Sequence, residues 1–294
     1  MREENIKIKS LYDELELDVT MFIPKNKIYG IVQLSHGMIE DKNYYLDFMK
    51  YLTKLGYVTI INDHRGHGKS VNSKEDLGYM NDEEGKALVD DLYQVTKYVK
   101  ERFPGKKLIL FGHSMGSLVV RCFLKEHDTL IDKLIVCGSP SINKMASFGM
   151  KLCKMIKGIK GERHRSNFIH KMLFSDSTNS WLSYDTNYVN KYNHDKNCGF
   201  IFTMNGFINL MHLMINTYSD DYKVKNKNLD ILFIAGEDDV VVNGKKMWMK
   251  SINHLRNVGY KNIDYIMYSK MKHALINEKD KYKVYEDIVD FIKS

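Results

Sequence analysis

Short apolar runs alternate with helix-like stretches along most of this chain, and this alternation limits the fold more than any other feature. The runs are nearly continuous and rich in β-branched residues, as expected for strands buried on both faces. Strands that alternate with helices predict a mostly parallel sheet with right-handed crossovers and helices on its faces. The predicted strands are residues 30–35, 57–63, 106–112, 133–139, 230–236 and 263–269, and the predicted helices are residues 44–55, 82–103, 114–127, 244–258 and 280–293.

Other patterns replace the alternation at two places. Near the N-terminus, residues 6–10 and 15–24 alternate apolar and polar side chains, which predicts a β-hairpin. Between the fourth and fifth predicted strands, the chain is rich in Met and aromatic residues and shows no strand pattern, so we predict a helical cap there. Because such sheets bind ligands at the carboxyl ends of their strands, the cap is expected to cover the site. The predicted domains are a core of residues 1–140 and 229–294 and a cap of residues 141–228.

The composition excludes several classes of protein. With 44% hydrophobic and 28% charged residues, the chain is expected to fold rather than stay disordered. The net charge of +7 is spread along the sequence and does not indicate a nucleic-acid partner. The four cysteines form no close pair, so no zinc ribbon is predicted. No apolar secretory segment follows the first residues, and we therefore expect a cytoplasmic protein.

The uncharged stretch 199–219 is long enough to cross a bilayer. Within it, Asn205, Asn209, His212 and Asn216 recur at steps of four, three and four, which places a polar stripe on one face of a helix. A single spanning helix would expose that stripe to lipid at a high cost in free energy. The spacing therefore favours an amphipathic helix over a transmembrane span.

The sequence GHSMG at residues 112–116 lies between a predicted buried strand and an apolar helix. In that setting a G-x-S-x-G sequence is typical of a nucleophile elbow, a sharp turn that holds the Ser114 hydroxyl above the sheet. The flanking glycines leave room for the turn, and the N-terminus of the helix directs N–H groups at a developing oxyanion. The alternative is a plain helix-capping Ser114.

A serine nucleophile needs a base, and the base needs a carboxylate that orients it. Asp239 follows the first strand after the cap and is our candidate for the acid, with Glu237 and Asp238 as rivals that spacing does not exclude. His273 follows the last strand and is the candidate base, whereas His254 lies within a predicted helix. The alternatives are an acidic loop and a surface histidine without catalytic roles.

The oxyanion formed in such a reaction needs two N–H donors. One is expected from Met115, the residue after the nucleophile, and the other from Met38, in the loop after the first predicted parallel strand. The alternative for the His36–Gly37 pair in that loop is an ordinary turn.

Taken together, these motifs resemble the serine α/β-hydrolase superfamily, and within it the branch of monoacylglycerol lipases and lysophospholipases. The resemblance covers nearly the whole chain and implies the α/β-hydrolase fold, acyl transfer to Ser114 with Asp239 and His273, and no metal or organic cofactor. The segments that carry it are HGMIE at 36–40, DHRGHGKS at 63–70, GHSMGS at 112–117, GEDD at 236–239 and HALINE at 273–278.

The chain departs from the pattern of this branch at two positions. Asp41 follows Glu40 where members often have His, and Val240 follows Asp239 where many bacterial members have Pro. Neither change removes a catalytic group. In the DHRGHGKS loop we expect Asp63 and Arg65 to pair and to brace the site without taking part in catalysis.

Two parts of the predicted cap bear on the substrate. Met204, Phe207 and Met211 offer a flexible apolar lining for an acyl chain, with core packing as the alternative. Lysines at steps of three in residues 151–160 would suit a peripheral contact with anionic lipid, but Gly158 and Gly161 weaken the helix, so the pattern favours a solvated basic face over a packed apolar one.

We therefore expect a serine hydrolase that acts on esters of lipid-like substrates, either a monoacylglycerol or a lysophospholipid. The rivals are a short-chain carboxylesterase or thioesterase and a non-catalytic binding protein. An aminopeptidase would use acids of the cap such as Glu162 and Asp176 to hold a substrate amine, but the cap is mostly basic.

Overall fold

The structure is a computed structural model that describes residues 1–82, 84–173 and 178–294. Within these residues, eight strands form one sheet in the order β1-β2-β4-β3-β5-β6-β7-β8. The β1–β2 and β2–β4 pairs are antiparallel and all others are parallel, so the predicted hairpin and parallel sheet are both confirmed. The strands are β1 Arg2–Lys9, β2 Glu16–Ile23, β3 Gly30–Ser35, β4 Tyr57–Asn62, β5 Lys107–His113, β6 Lys133–Cys137, β7 Asp230–Gly236 and β8 Ile263–Tyr268.

The five predicted core helices are present, with small shifts at their N-termini. Helix α2 begins at Lys86 and not at residue 82, because Gly85 has a left-handed backbone with φ of 69° that stops the helix there. Glu83, in the same predicted stretch, lies outside the described residues. The helices are α1 Leu46–Lys54, α2 Lys86–Arg102, α3 Met115–His127, α4 Ala146–Lys160, α5 Asn167–Leu173, α6 Thr186–His194, α7 Met204–Thr217, α8 Gly244–Val258 and α9 Lys281–Lys293.

The sheet separates two hydrophobic cores, as the nearly continuous apolar strands predict. Successive residues of β5 point to opposite faces, so Leu108 and Leu110 belong to one core and Ile109 and Phe111 to the other. The first core packs against α2, α3, α7 and α8, and the second packs against α1 and α9. Strand β8 lies at the edge of the sheet, and Tyr265 is exposed there.

Between β6 and β7 the described residues form helices α4 to α7, in the stretch for which a cap is predicted. The chain leaves β6 at the edge where the parallel strands end, so α7 packs against both α4 and the core helix α3. The boundaries of the two domains remain a prediction.

The polar stripe of α7 faces protein backbone. The Asn205 side-chain oxygen accepts a hydrogen bond from the Met80 N–H at 2.9 Å, and that of Asn209 accepts one from the Gly85 N–H at 2.8 Å. These contacts satisfy buried amides in the loop before α2, which explains polar side chains in an otherwise apolar helix. Among the described residues, no helix has the length and apolar character needed to cross a membrane.

The prediction that Asp63 and Arg65 pair with each other was wrong. Asp63 accepts a hydrogen bond from the Lys42 ammonium at 2.9 Å, while the Arg65 guanidinium donates to Asp91 at 2.8 Å and to Asp13 at 3.0 Å. The two side chains diverge because Lys42 lies in the turn before α1 and Asp91 lies on α2. Both buried pairs brace the loop after β4, but they do so against different helices.

Candidate active site

The turn between β5 and α3 places Ser114 in a strained conformation. Its φ of 53° and ψ of −120° lie where residues with a side chain rarely occur. A Cβ on Gly116 would lie 2.1 Å from the Ser35 carbonyl oxygen, and one on Gly112 would lie 2.6 Å from the Gly116 oxygen. The glycines therefore allow the first turn of α3 to pack directly against β3, and this packing fixes the position of Ser114.

His273 and Asp239 meet at the carboxyl ends of β7 and β8. The Nδ1 atom of His273 lies 2.9 Å from Oδ2 of Asp239, and both side chains are buried. Oδ1 of Asp239 accepts the Val241 N–H at 2.8 Å, which holds the carboxylate in place. The Nε2 atom of His273 has no hydrogen-bond partner in the part of the chain that the structure describes. With Nδ1 engaged by Asp239, Nε2 is the ring nitrogen left to accept a proton.

The other candidate acids and bases lie elsewhere. Glu237 and Asp238 are exposed, and Asp238 accepts a hydrogen bond from the Tyr184 hydroxyl at 3.0 Å. His254 packs its ring against Tyr218 at the end of the cap. Of the acids and histidines that the sequence offers as candidates, Asp239 and His273 are the two whose side chains contact each other.

The candidate oxyanion loop, residues 36–40, lies directly against Ser114. A Cβ on Gly37 would lie 3.2 Å from the Ser114 Cβ, so a larger residue at position 37 would crowd the Ser114 side chain. Met38 and Met115 line a cavity together with Ser114. Both residues therefore border the same cavity as Ser114, and their role as oxyanion donors remains a proposal.

Glu40 and His113 form a buried pair behind this loop, with Oε1 of Glu40 3.5 Å from Nδ1 of His113. Burial by itself raises the pKa of Glu40, but the hydrogen bond and charge of His113 outweigh it and lower that pKa to about 2. Burial conversely lowers the pKa of His113, yet Glu40 and the His273 carbonyl outweigh it and raise the pKa above its ordinary value. Sequence reasoning noted both residues only as members of motifs, because their pairing joins loops that are far apart in the chain.

Another buried carboxylate, that of Glu278, connects the segment between β6 and β7 to the His273 loop. Glu278 accepts hydrogen bonds from the Ser183 hydroxyl at 2.8 Å, the Tyr184 N–H at 2.9 Å and the Lys272 N–H at 2.8 Å. The Trp181 ring lies 5.2 Å from that of His273, between ring centroids. The HALINE motif signalled Glu278 from the sequence, but the contacts that it makes were not predictable.

Ser114 lies where two cavities meet, and both also contact Met38 and Trp181. The first has a volume of about 590 Å³ and a polar wall that includes Glu40, His113 and His273. The second is larger, at about 950 Å³. Its wall is rich in methionine and includes Met115, Met145, Met211, Met214 and Met247.

Two of the three predicted lining residues do not reach this second cavity. Met211 lines it, whereas Met204 and Phe207 are fully buried in the hydrophobic core. The difference arises because the first half of α7 is covered by other cap residues, and Phe207 packs 5.7 Å from Phe202 between ring centroids. The helix borders the cavity through Leu210, Met211 and Met214.

Within residues 1–82, 84–173 and 178–294, no cluster of three or more His, Cys, Asp or Glu side chains is arranged to hold a metal ion.

The mostly parallel sheet and its helices define an α/β-hydrolase fold. The family described as serine aminopeptidase, S33, matches residues 26–280. Because this match includes most of the chain, the protein belongs to that family of hydrolases.

Known relatives are distant. A probable lysophospholipase L2 from Haemophilus influenzae is 23% identical over 238 residues, which are 76% of this chain and 72% of that protein. A monoglyceride lipase homolog from Monkeypox virus is 32% identical over 114 residues. The matched residues are only 39% of this chain and 39% of the viral protein. A thermostable carboxyl esterase from Bacillus coagulans, solved with glycerol, shares the fold with a TM-score of 0.88 at 23% identity, covering 100% of this chain and 98% of that one.

The packing around Gly116 predicts a contrast between two glycine substitutions. Gly116→Ala forces the Cβ into the backbone of β3 and should lower the free energy of unfolding by more than about 2 kcal/mol. Gly158→Ala, in an open position on α4, should raise it by about 0.5–1 kcal/mol. Chemical denaturation of both variants measures these changes, and equal stabilities would contradict the described packing.

Proposed function

We propose that this chain is a serine hydrolase that cleaves carboxylic esters of lipid-like substrates through an acyl-enzyme. The observation that carries the proposal is the hydrogen-bonded His273–Asp239 pair, with its free Nε2, beside a strained Ser114 in a shared cavity. A nucleophile, a base and an orienting carboxylate are the three groups that such a reaction needs.

The proposed reaction has two halves. In the first, the Ser114 Oγ attacks the ester carbonyl while Nε2 of His273 takes its proton, and the Met38 and Met115 amides stabilise the oxyanion. The intermediate then collapses, and His273 gives the proton to the leaving alcohol. In the second half, water attacks the acyl-enzyme with His273 again as base, which releases the acid and restores Ser114. Asp239 stabilises the imidazolium in both halves, and neither a metal nor an organic cofactor is required.

The two cavities support a substrate with an apolar chain and a polar head. Methionine side chains are flexible and polarizable, so the larger cavity suits acyl chains of varied shape. The smaller, polar cavity suits the alcohol, such as glycerol or a glycerophosphate ester. The names of the relatives, monoglyceride lipase and lysophospholipase, agree with this substrate class.

Aminopeptidase activity is less well supported. Among the described residues that line the two cavities, the carboxylate is that of Glu40, and its charge is matched by His113. Glu162 accepts a hydrogen bond from the Tyr79 hydroxyl, and Asp176 lies outside the described residues. Within the described part of the chain, the two cavities thus offer no unpaired acid for a substrate amine. A short-chain esterase or thioesterase uses the same groups and is the main alternative.

Ser114→Ala removes the nucleophile and should abolish ester hydrolysis while leaving the fold intact, because the small side chain keeps the turn. The measurement is fatty-acid release from a panel of monoacylglycerols, lysophospholipids and acetate esters, with circular dichroism as the check on folding. Wild-type protein should also react with a fluorophosphonate probe at Ser114. A folded variant with more than a few per cent of wild-type activity would overturn the assignment, and a wild-type protein that ignores the probe would favour the binding-protein alternative.

Chain-length preference separates a lipase from a short-chain esterase. Long-chain monoacylglycerols should be hydrolysed faster than acetate esters, because only they fill the methionine-rich cavity. Met214→Trp partly fills that cavity and should lower kcat/KM for long chains by about tenfold with less effect on acetate. Ile215→Trp, at a similarly half-buried position on the same helix, is the matched control. Faster cleavage of acetate esters by the wild-type protein would favour the esterase.

We also propose that the cap contacts anionic lipid surfaces. Helix α4 exposes Phe148, Met155 and Ile159, the last with 78% of its surface accessible. Lysines on the same helix, at positions 151, 154 and 160, are also exposed. An amphipathic helix with exposed apolar residues and lysines is typical of interfacial binding, and exposed apolar groups favour this interpretation over a purely solvated basic face.

Ile159→Glu combined with Met155→Glu should weaken binding to vesicles of phosphatidylcholine mixed with phosphatidylglycerol by about tenfold or more, since each change replaces an apolar contact with a repelled charge. Leu11→Glu, at a site with 86% exposure in the turn between β1 and β2, is the control and should bind like wild type. Cosedimentation with these vesicles and with phosphatidylcholine alone measures the effect. Unchanged binding of the double variant would contradict the proposal.

A further inference from the structure

We propose that Glu40, Tyr45 and His113, here called the Glu40 network, are positioning residues that join the oxyanion loop to the His273 backbone through a buried ion pair. The proposal rests on the serine hydrolase function proposed above, and it assigns a role to two motif residues that the reaction itself does not use.

Direct hydrogen bonds connect the two halves of the site through this network. Oε1 of Glu40 accepts the Gly37 N–H at 2.6 Å and the Tyr45 hydroxyl at 2.5 Å. The Tyr45 oxygen lies 2.8 Å from Nδ1 of His113, and Nε2 of His113 lies 3.0 Å from the carbonyl oxygen of His273. The chain of contacts runs from the amide next to Met38 to the backbone of the candidate base.

The three side chains are almost completely buried, with exposed fractions of 5% for Glu40, 1% for Tyr45 and 4% for His113. Buried polar groups of this kind are costly to leave unpaired, so the network has strongly preferred geometry. A Cβ on Gly37 would lie 2.7 Å from Oε1 of Glu40, which shows how closely the carboxylate holds the loop.

The hydrogen-bond pattern assigns the protons. A carbonyl oxygen only accepts, so Nε2 of His113 carries a proton that it donates to His273. The single hydroxyl proton of Tyr45 lies in the short hydrogen bond to Glu40. Burial raises the pKa of Tyr45 well above its ordinary value, so the hydroxyl stays protonated. Nδ1 of His113 must then donate to the Tyr45 oxygen. A ring with two N–H donors is an imidazolium, and Glu40 is its counter-charge.

The pH dependence of the network follows from the raised His113 pKa. The His113 imidazolium is fully formed below the ordinary histidine pKa and is lost as the pH rises through the raised pKa of His113, so the loop should loosen at a higher pH than an ordinary imidazole would give. Titratable groups from all the surrounding elements face His113 or Glu40, namely Tyr45, His36, His67, Cys137, Tyr188, Tyr192, Cys198, Asp239 and His273. Burial raises the pKa values of Cys137 and Tyr188, so neither ionises in this range.

Kinetics of three variants test the positioning role. Glu40→Gln and Tyr45→Phe should lower kcat by roughly tenfold to a hundredfold with little change in KM, because the amides of the oxyanion loop act mainly in the transition state. His113→Gln should do the same and should remove an alkaline decline of kcat that the wild-type protein shows. Tyr51→Phe and His127→Gln, which replace half-buried residues outside the site, are the matched controls and should keep wild-type kinetics and pH profile.

Nitrogen-15 NMR of the histidine rings tests the charge without any turnover. In wild-type protein at pH 7, both ring nitrogens of His113 should be protonated, with the signal assigned by its absence from His113→Gln, and Glu40→Gln should return the ring to the neutral form. A neutral His113 in the wild-type protein overturns the proposal, as do folded Glu40→Gln and Tyr45→Phe variants with wild-type kcat. A wild-type protein that has the imidazolium but no ester hydrolysis contradicts the proposed function instead, so the two failures are distinguishable.

Discussion

The close contact between the first turn of α3 and the end of β3 is the constraint on which the site depends. No side chain fits at Gly116, because a Cβ there would overlap the carbonyl oxygen of Ser35. The contact brings the loop after β3 against Ser114 and forces the strained backbone of that residue. Strain of this kind persists only where the surrounding structure holds it. Here β3 packs against the turn at Gly116, and on the other side the Cys137 carbonyl at the end of β6 accepts the Ser114 N–H at 3.0 Å.

The parallel arrangement of the strands brings the other residues of the site together. Strands β3, β5, β7 and β8 all end at the same edge of the sheet, so residues that follow them meet although they are far apart in the chain. Gly37, Ser114, Asp239 and His273 each occupy such a position. The catalytic arrangement that we propose is thus a consequence of topology, with short loops that leave little freedom in where each side chain points.

The sequence was sufficient for features that depend on local pattern. Runs of β-branched residues predicted the parallel strands because their burial on both faces requires continuous apolar character, and the glycines around Ser114 indicated a turn with no room for side chains. Asp239 could not be separated from Asp238 in the same way, because the choice depends on which carboxylate the fold turns toward His273 and which toward Tyr184.

Pairs of residues that are far apart in the sequence were harder to predict, because their contacts depend on how the whole chain folds. Arg65 pairs with Asp91 on α2 and not with Asp63, although Asp63 is close in sequence. Met204 and Phe207 share the apolar character of Met211, but neighbouring cap residues cover them. Which apolar residue borders a cavity and which fills the core depends on the packing of the whole chain, and a periodic pattern does not contain that information.

Glu278 links the segment inserted between β6 and β7 to the loop that carries His273. Ser183 and Tyr184 belong to the inserted segment, whereas Lys272 precedes the candidate base, and all three share one buried carboxylate. Pulling the inserted segment away at this point would break the hydrogen bonds that Ser183 and Tyr184 donate to this carboxylate, which costs free energy. This stretch of the insertion is therefore tied to the loop that precedes His273, and we expect the two to move as one unit.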